Sequence, residues 1–189
     1  RTNTFTPQVA ELATSLSVGF GAEVTLICDE RGGIIDAKGH QKIILTDALI
    51  QSWGIASLPK NWGWFCGDFC HYAARAMVPD ASWYVVIEND VFMTVGAAQA
   101  LASCLSQTSV DALACDLGRT VNPKVYSKDL EHFGITSRCG CIFAVTCTRG
   151  HVIDEMMALR VRAQVDGSFR INDEAVLAGA LISNELAFE

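Results

Sequence analysis

Two carboxylates separated by a single residue, at the end of an apolar run, are the side chains best placed to do chemistry. Trp83 to Ile87 is a stretch of aromatic and β-branched residues that predicts a buried strand, and it stops at Glu88-Asn89-Asp90. Carboxylates so placed can hold a divalent cation or act in acid–base chemistry, and ligands of open α/β sheets bind at the carboxyl ends of the strands. The same triplet can also do no more than cap a strand end and solvate a turn.

Three further acidic sites share that ambiguity. Asp29 ends the strand-like run Glu23 to Cys28 and opens a polar, glycine-rich turn, Asp29-Glu30-Arg31-Gly32-Gly33. It can bond a ligand or satisfy its own backbone, as turn aspartates do. Asp68 follows Gly67 at the start of a helical pattern and can be an N-cap. Asn172-Asp173-Glu174 opens the last helix, where acids favour the positive end of the dipole whether or not they are catalytic.

The elements that must position these residues follow from periodicity. Thr6-Pro7 begins a helix with Val9, Leu12, Ala13 and Leu16 on one face, expected to stop at Gly19 and Gly21. Lys42 to Leu45 reads as a short strand, and Thr46-Asp47 starts a helix through about Trp53. Ile55 to Cys66 reads as a loop in which Trp62 and Trp64 can stack on a ligand or pack on the sheet. Phe69, Tyr72, Ala73 and Ala76 give the helix after Asp68 an apolar face, ended by Pro79-Asp80. Thr94 starts a small-residue helix through Gln107, Val110 to Cys115 and Cys141 to Cys147 read as strands, and Asn122 to Phe133 as loop and short helix. Arg149 to Gln164 is helical, Asp166-Gly167 a turn, and Ala175 to about Leu186 the last helix.

Strands alternate with helices, which predicts one α/β domain over residues 1–189 with a mostly parallel central sheet and helices on both faces. Because the chain opens on a helix, the sheet is expected to lack its first strand. Half of the 189 residues are apolar and 19% are charged, so the chain can bury a core. The net charge of −7 argues against nucleic acid as a partner, and no apolar run reaches the length of a membrane span. The eight cysteines include several in apolar stretches (Cys28, Cys104, Cys115 and Cys147), which favours reduced thiols and a cytoplasmic setting, with peripheral membrane association left open. Neither Cys66/Cys70 nor Cys139/Cys141 has the paired spacing of a structural zinc site.

In this order the residues resemble a family, the nucleotide-diphospho-sugar glycosyltransferases of the GT-A fold. Arg1-Thr2-Asn3 with the following helix and the EVTLICDE strand resembles that family's first nucleotide-binding half. Trp64-Phe65-Cys66-Gly67-Asp68, followed by WYVVIENDV, resembles the approach to its DxD motif, with Glu in the first place, and Asn172-Asp173-Glu174 resembles its late acidic pair. The chain departs from metal-dependent members with a histidine near the C-terminus, its last being His151.

The resemblance implies a hexosyltransferase-like enzyme that moves a sugar from a nucleotide-sugar donor to a glycan or other hydroxyl acceptor with Mn²⁺ or Mg²⁺. It implies Asp90 as metal ligand and Glu88 on the metal or the donor. Arg1, Asn3, Asp29 and Asp68 fall at the donor, and Asp173 or Glu174 becomes the general base. Two other readings stand beside it, a non-catalytic GT-A-like domain that has lost its site and a metal-dependent nucleotidyltransferase.

Overall fold

Thr6 is extended and its hydroxyl accepts the Val9 N–H at 3.3 Å, which starts helix α1, Pro7–Phe20, with Pro7 in its first turn. In the computed structural model, which describes residues 1–119, 125–136, 139–165 and 171–188, the further elements follow in order. They are β1 (Leu26–Asp29), β2 (Lys42–Leu45), α2 (Asp47–Ser52), α3 (Trp62–Phe65), α4 (Asp68–Met77), β3 (Tyr84–Ile87), α5 (Val95–Gln107) and β4 (Ala112–Arg119). A 3₁₀ run (Val125–Phe133), β5 (Cys139–Thr148), α6 (Gly150–Val165) and α7 (Asp173–Ser183) complete them. The expected Asp166-Gly167 turn and the start of the 122–133 stretch lie outside the described residues.

The chain is mixed α/β, with its described strands in two small sheets. β1 and β2 pair in parallel, Leu26 opposite Lys42 through Asp29 opposite Leu45. The other sheet has the order β3-β5-β4, and β4 and β5 run antiparallel. The expected mostly parallel central sheet is therefore corrected. The reason lies in the segment between β4 and β5. It contains no full crossover helix among the described residues, only the 3₁₀ run, so the chain returns antiparallel. β4 also runs beyond the expected Cys115, through register shifts at Ala114/Cys115 and Cys115/Gly118 that include Asp116 at φ 53°.

Two compact units are present. Arg1–Thr46 with Ile87–Ser109 forms the first, and Asp47–Val86 with Val110–Glu189 the second. In the first, Val9 of α1 packs with Leu26, Cys28, Ile35 and Ala37, and Phe5 covers the cluster. Backbone bonds set Thr2 beside β1, its N–H donating to Ile27 O at 2.9 Å and its carbonyl accepting Asp29 N–H at 3.0 Å. The Arg1 nitrogen donates to Ile87 O, at the end of β3, also at 2.9 Å. In the second unit α7 is buried nearly all round, from Ala175 to Leu181, against β5 and α6. Burial on every side explains why its sequence shows no polar face.

Gly19 does not stop α1. It lies inside the helix, and Gly21, at φ 62°, is the left-handed cap. Gly19 serves close packing instead, since a Cβ there would stand 2.3 Å from Ala98 Cβ and 2.9 Å from Val95 O on α5. Small residues on both helices let α1 and α5 meet, as dense interiors require. Gly19→Ala is therefore expected to destabilise the protein by about 1–3 kcal/mol, overpacking outweighing the helix propensity of alanine. Urea unfolding checks this, and a gain in stability would contradict the packing argument.

Candidate functional site

The parallel pairing of β1 sends its carboxyl end to Asp29, and the backbone of Arg1 and Thr2 runs alongside. Three of the expected residues gather here. Arg1 forms an ion pair with Glu88, the residue after β3, with both side chains largely shielded. Arg31 holds Asp29 through two bonds, Nε to Oδ1 at 2.8 Å and Nη2 to Oδ2 at 2.6 Å. The Arg31 hydrogen bonds lower the Asp29 pKa, and the Arg1 charge adds to the effect. Arg1, Asp29 and Glu88 thus share one electrostatic environment at the strand ends.

Asp90 and Asn3 also belong to this unit, and both are exposed. Glu88 O accepts Val91 N–H at 3.2 Å, so the acid triplet forms a tight turn after β3. The loop from β1 to β2 is closed by Lys42, which pairs with Glu30 and donates to Ile35 O at 2.9 Å.

Among the described residues no three His, Cys, Asp or Glu side chains gather where they could hold a metal ion. A cation shared with a diphosphate needs less, because water and phosphate oxygens complete an Mg²⁺ shell around one or two carboxylates. Glu88 and the exposed Asp90 lie two residues apart in one turn, with the Glu88 carboxylate held by Arg1.

The remaining expected residues lie in the second unit and form a different kind of structure. Asp68 is not an N-cap. It sits in the first turn of α4, fully buried, and grips Arg160 of α6 by Nη2 to Oδ1 at 2.7 Å and Nε to Oδ2 at 2.9 Å. Tyr72 OH donates to the same carboxylate at 2.7 Å, and Arg160 Nη1 donates to Ile171 O at 2.6 Å. Burial would lower the Arg160 pKa, but the Asp68 carboxylate, with Cys66 and Tyr72, more than offsets it, so the guanidinium stays charged. Burial, then Asp68, raises the Tyr72 pKa well above its ordinary value. With three donated hydrogen bonds on its oxygens, Asp68 is an internal anchor in this arrangement.

Asp173 is likewise buried, and its Oδ2 accepts Gly67 N–H at 2.8 Å while Oδ1 accepts Glu174 N–H at 2.9 Å. Asn172 is the true N-cap, accepting Ala175 N–H at 3.1 Å. Glu174 is half-buried and accepts from Asn172 Nδ2 at 3.1 Å. Trp62, in the helical turn α3 where a loop is expected, is buried against Phe69 and donates from Nε1 to Asp47 at 2.9 Å. Trp64 is 68% exposed.

Sequence reasoning passes over Arg160, although a signal is present. It falls at helical spacing with Met156, Leu159 and Ala163 on the buried face of α6, and a charge on such a stripe demands a buried partner. His71, on α4, is fully buried. Its Nε2 lies 2.8 Å from Thr146 Oγ1 and its Nδ1 3.1 Å from Thr148 Oγ1.

Two outcomes are expected. Arg160→Met should cost about 3–5 kcal/mol by stranding the Asp68 charge, and adding Asp68→Asn should cost less than the two single changes summed. Urea unfolding of the four proteins in that cycle reads the coupling, and strict additivity would contradict it. The second concerns pH. Burial pushes the His71 pKa from 6.5 down to about 3, so between these values the unfolded chain binds a proton that the folded one does not. The contribution of neutral His71 is complete above pH 6.5 and is lost as pH falls toward 3, by about 1 kcal/mol per pH unit. Stability that does not change between pH 6.5 and 4 would contradict this. No protein-family model, curated protein or solved structure matches the chain.

Proposed function

We propose that the protein is a GT-A-type glycosyltransferase whose first unit binds a nucleotide-diphospho-sugar at the carboxyl ends of its strands. The observation that carries this reading is the grouping of Arg1, Asp29 and Glu88 there, with Asp90 in the turn that follows. Strand ends of α/β proteins are where ligands bind, and this one offers cations for phosphate and carboxylates for ribose or base.

In the proposed reaction the bond from the sugar's anomeric carbon to the β-phosphate oxygen breaks. The electron pair leaves with the nucleoside diphosphate, and an acceptor hydroxyl oxygen forms the new bond as its proton passes to a base. A divalent cation would stabilise the negative charge on the departing diphosphate as a Lewis acid, with Asp90 and Glu88 holding it. Arg1 can bond donor oxygens, Asn3 can accept or donate at the nucleoside, and the Asp29 carboxylate can accept there. For inversion at the sugar the resemblance assigns the base to Asp173 or Glu174. The second is favoured, since the Asp173 oxygens hold the backbone of Gly67 and Glu174 and its side chain is buried.

Thermal denaturation with UDP and Mn²⁺, alone and together, tests the reading. UDP with Mn²⁺ should raise the melting temperature more than either alone, since a ligand bound only by the folded state stabilises it. Asp90→Ala should remove the Mn²⁺-dependent part and leave the unliganded melting temperature unchanged. No stabilisation by any combination would favour a domain that has lost its site, and unchanged Mn²⁺ dependence in Asp90→Ala would sink the metal assignment.

A further inference from the structure

Arg31 is two residues beyond Asp29, and a bidentate fork on a carboxylate is also the geometry with which guanidinium binds phosphate. The side chains of Arg31 and Asp29 are 36% and 17% exposed, so a ligand can reach the pair from solvent. The neighbouring Arg1–Glu88 pair, though largely shielded, places a second guanidinium in the same environment, and the more exposed Arg31–Asp29 pair is weak enough to exchange partners.

The residue that follows leaves room beside the pair. Gly33 stands at φ 143°, which by itself calls for glycine. Gly32 has no such φ, and a Cβ built on it would meet nothing within 4 Å. Neither its own conformation nor crowding among the described residues requires glycine there. The missing side chain leaves the backbone next to Arg31 open to close approach by a ligand.

We propose that Arg31 is a phosphate-binding residue of this site, held by Asp29 until the diphosphate of a nucleotide takes its place. The phosphate oxygens accept the two guanidinium N–H bonds, and the released Asp29 carboxylate accepts from a ribose hydroxyl or a base N–H. This exchange breaks no covalent bond and leaves neither charge unpaired when the ligand offers both halves. A nucleoside alone cannot satisfy Arg31, and pyrophosphate alone cannot satisfy Asp29. The inference rests on the nucleotide-sugar reading above and adds to it a residue and an order of events.

Calorimetric titration of the whole chain with UDP, uridine and pyrophosphate in Mn²⁺ buffer tests it, using wild type, Arg31→Ala, Arg31→Lys and Gly32→Val. Arg31→Ala is expected to weaken UDP binding by about tenfold or more and to leave uridine binding undiminished, because Asp29 is then released. Arg31→Lys should restore part of the UDP affinity, as a point charge without the fork. Gly32→Val should weaken UDP binding with the melting temperature unchanged. Equal UDP affinity in wild type and Arg31→Ala would overturn the role of Arg31 while leaving the nucleotide site standing. Equal loss of UDP and uridine affinity in Arg31→Ala, with a lowered melting temperature, would overturn it in favour of a structural role. Wild type that binds neither UDP nor uridine would overturn both readings.

Discussion

The second unit depends on one buried ion pair, Asp68 with Arg160. A carboxylate and a guanidinium withdrawn from water cost several kcal/mol each, repaid only when the geometry is near ideal and every remaining donor finds an acceptor. Here two oxygens meet two nitrogens at 2.7 and 2.9 Å, Tyr72 adds a third donor, and Ile171 O takes another guanidinium N–H. Those bonds tie α4 to α6 and both to the chain entering α7. Asp173, two residues after Ile171, then accepts the N–H of Gly67, the residue before Asp68. The two acidic positions that stand out in this part of the sequence are thus linked through a single polar network inside the fold.

The first unit uses charge differently. Its pairs, Arg1 with Glu88, Arg31 with Asp29 and Lys42 with Glu30, lie at strand ends and retain access to solvent. Water and salt screen the most exposed of them, Arg31–Asp29, so it contributes little to stability, and the same weakness makes it exchangeable. A buried pair such as Asp68–Arg160 cannot yield its partner without leaving a charge stranded. Partial exposure leaves the Arg31–Asp29 pair in contact with solvent, where a change of partner strands neither charge.

Much of the fold was legible because it follows local rules. Thr6, Thr94 and Asn172 are N-caps with the expected side-chain bonds, and the apolar spacing of α1 matches its buried face. Strand direction was not legible, since a run such as Cys141 to Cys147 reads the same in a parallel or an antiparallel ladder. Gly19 misled for a related reason. A glycine is a helix stop by propensity, and only the approach of Ala98 on a helix some eighty positions away gives it another purpose.

The candidate site divides along the same line. Residue type and spacing by themselves determined that Glu88, Asp90 and Asp29 close apolar strands, because alternation and punctuation are encoded within a few neighbours. Which acids face solvent and which are consumed inside was decided by tertiary structure alone. Asp68 and Asp29 look alike in sequence, each an acid at an element boundary next to a glycine-bearing stretch. The first meets Arg160, ninety-two positions away, in a dry interior, and the second meets Arg31, two positions away, at an accessible strand end. Burial depends on contacts between distant segments, and no local pattern carries that information.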